Sequence, residues 1–145
     1  MSETIRNMSG GRYWNQSRPK YVKGENPDHI SAKRIITHIG MKCGYDVMQE
    51  WPTEEILHKG KAVPFPIDVA LYNAETEDKI LVQLDGGYHF AGKIHPGKTK
   101  NRDETLEPYA AKRRIRYVTL SVRDVLKQSS KWIKGELGII PKFGE

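Results

Sequence analysis

The chain has 145 residues, which suffices for one domain with a hydrophobic core but not for two domains of ordinary size. It carries 24 lysines and arginines against 18 acidic residues, a formal charge of +6. This balance favours a polyanionic partner such as nucleic acid, and an acidic membrane surface fits the charge equally well. A single cysteine, Cys43, excludes an internal disulfide and a cysteine-rich zinc site.

Neither a membrane span nor a signal peptide is predicted. No apolar run approaches the roughly 18 residues that a transmembrane helix needs, and the N-terminus lacks the apolar core of a signal peptide. We therefore expect a soluble, intracellular protein of the cytoplasm that has no membrane partner.

The N-terminal segment, residues 1–27, is predicted to be a basic, partly flexible arm because it has little hydrophobic periodicity. Arg12 and Lys20 are each followed directly by an aromatic side chain, a combination that can hold a phosphate backbone and stack on unpaired bases. Two alternatives stay open for the arm: a solvated tail, and a strap that folds back onto the domain through its aromatic residues.

A globular domain is predicted over residues 28–127, and residues 128–145 are predicted to form a C-terminal extension that packs on it or trails from it. Apolar residues at helical spacing predict a first helix from Ile30 to Cys43, stopped by Gly44. Tyr45–Trp51 has strand character and ends at Pro52.

The next two strands each carry one acid among apolar residues. The first contains Asp68, and the second is the apolar run from Ile80 to Leu84, which ends at Asp85. A short, turn-rich link joins them, so we predict a hairpin. Because side chains alternate along a strand, Gln83 and Asp85 share a face, and Asp68 is expected beside Asp85 on that face.

A carboxylate at the end of a buried strand costs free energy unless it is paired, hydrogen-bonded or bound to a cation. Two carboxylates at the rim of a sheet suit a hard divalent cation, Mg²⁺ or Mn²⁺. Gly86 and Gly87 allow a sharp turn and a close approach, and His89 follows within reach of whatever Asp85 holds. The alternative is an ordinary turn in which Asp85 bonds its own amides.

The remaining elements are a loop, two helices and a strand. Lys93, Lys98 and Lys100 lie in a glycine-containing loop over residues 91–100, which either closes on a phosphate or is a plain surface loop. A helix over residues 101–114, kinked or divided by Pro108, precedes a strand over residues 115–122. A last helix is predicted from Arg123 to Trp132.

This order of helix, three strands, helix and strand resembles the PD-(D/E)XK, restriction-endonuclease-like nucleases. More narrowly, Asp68, then Gln83-Leu84-Asp85-Gly86-Gly87-Tyr88-His89, then Arg102-Asp103-Glu104-Thr105-Leu106 resemble the branch related to very-short-patch-repair endonucleases. That branch has an aspartate, a Glu-x-Asp-Gly-x-x-His element and an Arg-Asp-x-x-Leu helix. The resemblance covers about residues 31–125.

The resemblance implies an α/β fold, a restriction-endonuclease-like αβββαβ core with a mixed central sheet flanked by helices. It implies a metal-dependent endonuclease that hydrolyses DNA phosphodiester bonds, with Asp68 and Asp85 as metal ligands. His89 would transfer a proton or contact phosphate, while Lys100 and Arg102 would position phosphates. A homodimer would let two such sites face the two strands.

Two residues depart from the family pattern. Gln83 stands where the family has its glutamate, and Lys33 where related sequences often have an acid in the first helix. Three alternative consequences follow from these changes. Metal binding is weaker, or Glu50, Glu54 or Glu55 serves as a metal ligand instead, or the site is inactive. The alternatives are therefore a catalytically inactive nuclease-fold module that binds DNA, and a structure-selective resolvase of branched DNA.

Overall fold

A computed structural model describes residues 26–51, 57–58, 61–62, 66–86, 104 and 106–139, of which residues 57–58 and 61–62 are described by their backbone alone. The elements in chain order are α1 (Pro27–Lys42), β1 (Asp46–Trp51), β2 (Leu57–His58), β3 (Lys61–Ala62), β4 (Ile67–Asn73), β5 (Asp78–Asp85), α2 (residues 106–112), β6 (Arg116–Ser121), α3 (Val122–Lys127) and α4 (Ser130–Leu137).

Four strands form a mixed sheet in the order β1-β4-β5-β6, and β2 pairs with β3 in a separate two-stranded sheet. β1, β4 and β5 are antiparallel, with Val69 opposite Val82, so the predicted hairpin of β4 and β5 is confirmed. β6 runs parallel to β5, and the chain that joins them contains α2. The predicted α/β class, a mixed sheet flanked by helices, is confirmed at this level.

Each face of the sheet carries its own apolar cluster. The first core lies under α1, α3 and α4, and its members from the sheet include Val47, Val69, Leu71, Ile80, Val82, Leu84 and Leu120. The second core lies under α2 and consists of Trp51, Ile67, Ala70, Leu81, Leu106, Ala110 and Ile115. A sheet buried on both faces explains why β4 and β5 are almost continuously apolar.

Helix α1 begins at Pro27 rather than at Ile30 as predicted. The Asn26 side chain accepts a hydrogen bond from the Asp28 amide at 2.8 Å, and proline suits the first helical turn. Gly44, with φ of 88°, follows the end of the helix as predicted. The N-cap chemistry therefore adds a turn that the apolar periodicity did not reveal.

One prediction about the later helices is wrong, and so is one part of another. The single helix expected from Arg123 to Trp132 is two helices, because the Ser129 hydroxyl accepts from the Trp132 amide at 3.1 Å and caps a new helix, α4. Residues 106–112 are continuously helical, so Pro108 does not divide the helix there. The predicted kink at Pro108 stays a prediction.

Asp78, at the start of β5, ties the end of α4 to the sheet. Its carboxylate accepts from Arg116 at 2.6 and 2.9 Å, and Arg116 also donates to the Leu137 carbonyl at 2.9 Å. Tyr45 donates its hydroxyl to the same carboxylate. Burial, then the bond to Asp78, raise the pKa of Tyr45 to about 12, while Arg116 opposes the shift. Ile133 and Leu137 of α4 accordingly pack in the first core.

Among the described residues, no helix has the length and apolar character needed to cross a membrane.

Candidate functional site

The regular pairing of β4 with β5 ends at Val69 and Val82. Beyond that point, side chains accept hydrogen bonds from backbone amides of the neighbouring strand. The Asp68 amide donates to the Gln83 side-chain oxygen at 3.2 Å, and the Leu84 amide donates to Asp68 Oδ2 at 2.7 Å. Asp68 and Gln83 are thus brought together where the two strands separate.

The other carboxylate oxygen of Asp68 faces helix α1. Asp68 Oδ1 lies 3.3 Å from His29 Nε2, and each of the two side chains is 13% exposed. A carboxylate this buried is stabilised by the amide and imidazole hydrogens around it. His29 was not among the residues that the sequence singled out.

His29 is the first member of a polar stripe on α1, formed by His29, Lys33 and Thr37 at intervals of one helical turn. Lys33 Nζ donates to Glu50 Oε1 at 2.7 Å. Thr37 accepts from the Gln49 side chain at 3.0 Å. The stripe therefore connects the helix to polar side chains of β1 and β4 through otherwise apolar packing.

Glu50 reaches this stripe because β1 is irregular at that residue. Its φ of 53° is uncommon for a residue other than glycine, and the ladder passes from Gln49↔Val69 to Trp51↔Ile67 without pairing Glu50. Trp51 and Ile67 pack together in the second core. Strained backbone of this kind is concentrated at functional sites.

Asp85 ends β5 and pairs with Ser121 of the parallel strand β6. It is two residues beyond Gln83, so it lies on the same face of the strand as Gln83. Regular pairing of β4 with β5 ends at Val69 and Val82, so Asp68 and Asp85 both lie beyond it, at the same end of the two strands.

Gln83 is 1% exposed, and its two side-chain atoms are differently satisfied. The oxygen accepts from Asp68, whereas Nε2 has no hydrogen-bond partner in the described part of the chain. A buried amide nitrogen without a partner costs about 1–3 kcal/mol. The local fold therefore tolerates a polar side chain here at a cost.

The donor set contains oxygen from Asp68, Gln83 and Asp85, the type that hard divalent cations prefer. In the described ranges, no group of three or more His, Cys, Asp or Glu side chains is placed to hold a metal ion. A cation of the Mg²⁺ type binds one or two carboxylates and keeps most of its water, so it does not require an all-protein cage.

Several predicted site residues lie outside the described residues: Arg12, Lys20, Glu54, Glu55, His89, Lys93, Lys98, Lys100 and Arg102. Their predicted roles stay predictions. Lys33 and Glu50, which the sequence marked as a departure and as a substitute ligand, instead bind each other.

An open groove of about 430 Å³ lies beside the site. Its walls come from the start of α1, the end of β5 and helix α3. The lining residues are Asn26, Asp28, Gly86, Val122, Arg123, Leu126 and Lys127.

Comparison of the chain with protein-family models, with curated proteins and with solved structures finds no match.

Proposed function

We propose that this chain is a divalent-metal-dependent endonuclease that hydrolyses DNA phosphodiester bonds. The observation that carries the proposal is that Asp68 and Asp85 lie at the same end of two hydrogen-bonded strands, β4 and β5, near the strained backbone of Glu50. Two carboxylates held by rigid strands provide the charge and oxygen ligands that phosphoryl-transfer sites use to bind Mg²⁺ or Mn²⁺.

The order of elements supports membership of the restriction-endonuclease-like nucleases. Helix α1, the antiparallel strands β1, β4 and β5, helix α2 and the parallel strand β6 follow the αβββαβ order of that fold. In the same interpretation the Asp-Gly-Gly-Tyr-His element places the chain in the branch related to very-short-patch-repair endonucleases.

Within the proposed site the residues have different tasks. Asp68 and Asp85 would hold the cation, and the Leu84 amide and His29 fix the Asp68 carboxylate so that little reorganisation is needed. When bound, the cation lowers the pKa of a water and offsets charge on the phosphate. Gln83 contributes only a neutral oxygen, so the site is less negative than one with glutamate there.

The proposed roles of the remaining residues follow from the sequence alone: those of His89, Lys100 and Arg102 from the resemblance, and the others from the basic composition of the loop and the arm. His89 would transfer a proton or contact phosphate. The DNA backbone phosphates would be bound by basic side chains of the loop and of the N-terminal arm: Lys93, Lys98, Lys100, Arg102, Arg12 and Lys20. A homodimer would act on both strands.

A second candidate function is a DNA-binding module that does not cleave. It is favoured by the charges around Asp68: Gln83 is neutral, and Lys33 places a fully buried ammonium against Glu50 instead of a further acid. Fewer negative ligands mean lower cation affinity. A resolvase of branched DNA has the same chemistry as the first candidate and differs from it in substrate shape.

The test is cleavage of supercoiled plasmid, linear duplex and a four-way junction in Mg²⁺, Mn²⁺ or chelator. Asp85→Ala should abolish cleavage, whereas Glu136→Gln, an exposed acid on α4, should leave it unchanged. Tight binding without cleavage in any metal, equal in wild type and Asp85→Ala, would establish the binding module instead. Preference for the junction would identify a resolvase.

A further inference from the structure

Three residues that line the groove are sequence neighbours of residues in or beside the candidate site. Asp28 immediately precedes His29, which contacts Asp68. Gly86 immediately follows Asp85, and Val122 follows Ser121, the partner of Asp85 in β6. A strand of substrate that reached Asp68 and Asp85 would therefore have this groove as its next contact.

The α3 wall combines apolar and cationic side chains. Leu126 is 40% exposed and lies with Val122 in the groove. Arg123 and Lys127 are exposed, and neither side chain forms an ion pair or hydrogen bond with the residues that the structure describes. Exposed apolar surface next to two unneutralised cations suits a ligand with both a flat apolar part and an anionic part.

We infer that the groove binds one nucleotide of the DNA strand next to the scissile phosphate, with its phosphate on Arg123 and Lys127 and its base against Leu126. The volume of about 430 Å³ lies within the range of roughly 300–1,000 Å³ found for pockets that hold small ligands. This inference rests on the proposed function, since it requires that DNA is the substrate.

Asp28 gives the nucleotide an orientation. Its carboxylate stands at the N-terminus of α1, across the groove from α3, where the helix dipole stabilises negative charge. A phosphate is repelled from that wall and attracted to the two cations opposite. The phosphate therefore lies on α3, and the net lining charge of +1 still favours an anion.

The experiment measures binding of a fluorescent single-stranded and a duplex oligonucleotide in chelator, where cleavage is absent, over a range of salt. The groove variant is Arg123→Ala with Lys127→Ala. The matched control is Lys112→Ala with Arg114→Asn, which removes the same charge from the opposite end of β6 and respects the Arg114 φ of 56°. All four side chains are exposed, so both variants should fold, as circular dichroism will check.

We expect the groove variant to bind at least tenfold more weakly than wild type and the control less than threefold more weakly. Loss of two phosphate contacts should reduce the slope of log affinity against log salt by about 1.8 for duplex and about 1.4 for a single strand. Leu126→Ser should weaken binding about fivefold without changing that slope, because it removes contact with the base and not with phosphate.

The outcomes separate the two proposals. Equal binding by the groove and control variants, with wild-type cleavage intact, overturns the nucleotide subsite and leaves the nuclease proposal standing. Failure of the wild type to bind or cleave any DNA overturns both. Tight binding of RNA but not DNA overturns the substrate assignment of both.

Discussion

Breaking the Lys33–Glu50 ion pair from either side should be strongly destabilising. Lys33 is 0% exposed, the Glu50 side chain is 9% exposed, and Nζ lies 2.7 Å from Oε1. At that separation an effective dielectric constant of about 20 gives an attraction of about 6 kcal/mol, which offsets the cost of burying both charges. Either substitution removes the nearest opposite charge from a charge that stays buried in the packing between α1 and the sheet.

Lys33→Met and Glu50→Gln should therefore each lower the free energy of unfolding by about 3–5 kcal/mol. The double variant buries no charge, so its loss should be smaller than the sum of the two single losses by at least about 2 kcal/mol. Urea unfolding followed by tryptophan fluorescence measures all four proteins, because Trp51 is fully buried in the folded state.

An exposed lysine provides the control. Lys131→Met on α4 should change the free energy of unfolding by less than about 0.5 kcal/mol. The reasoning is refuted if Lys33→Met costs less than about 1 kcal/mol, or if the two single losses add in the double variant within about 0.5 kcal/mol.

Three further predictions concern single side chains. Gly40→Ala should lower the free energy of unfolding by about 1–2 kcal/mol, because the new Cβ would lie 2.5 Å from Leu71 Cδ2. Gly135→Ala is the control: no atom lies within 4 Å of its new Cβ, so in urea unfolding it should raise the free energy of unfolding by about 0.5–1 kcal/mol. The pKa of Tyr45 is about 12 in the folded protein, so its neutral hydroxyl contributes at most about 3 kcal/mol of stability, complete below a pH of about 10 and lost as the pH rises towards 12. The difference in unfolding free energy between wild type and Tyr45→Phe should therefore shrink between pH 9 and pH 11.5. A constant difference would contradict this prediction. Gln83→Glu should lower the melting temperature in the absence of metal, because it buries a charge. Calorimetry should show that the variant binds Mn²⁺ about tenfold more tightly than wild type. An unchanged Mn²⁺ affinity would place this residue away from the cation.

The central hairpin could be predicted from the sequence because its determinants are local. Alternation in β4, the apolar run of β5 and a turn-forming link specify two adjacent strands, and the Asn73 side chain accepts from the Glu75 and Thr76 amides within that turn. The meeting of Asp68 with the end of β5 follows from the hairpin alone.

The contacts of α1 with the site could not be predicted in the same way. The positive φ of Glu50 shifts the strand out of alternation, and only the folded chain brings Lys33 to that carboxylate. A signal was nevertheless present, since His29, Lys33 and Thr37 place polar groups at one-turn spacing within an otherwise amphipathic helix. That spacing identifies a polar stripe but does not identify its partners.

The most direct test of the proposed nuclease is plasmid nicking in Mn²⁺ by wild type and Asp68→Asn. Asparagine keeps an oxygen to accept from the Leu84 amide, so the variant loses the charge of Asp68 and not its place in the fold. The account predicts metal-dependent nicking by wild type, its loss in chelator, and at least a hundredfold slower nicking by Asp68→Asn. Nicking in chelator, or equal rates for the two proteins, would contradict it.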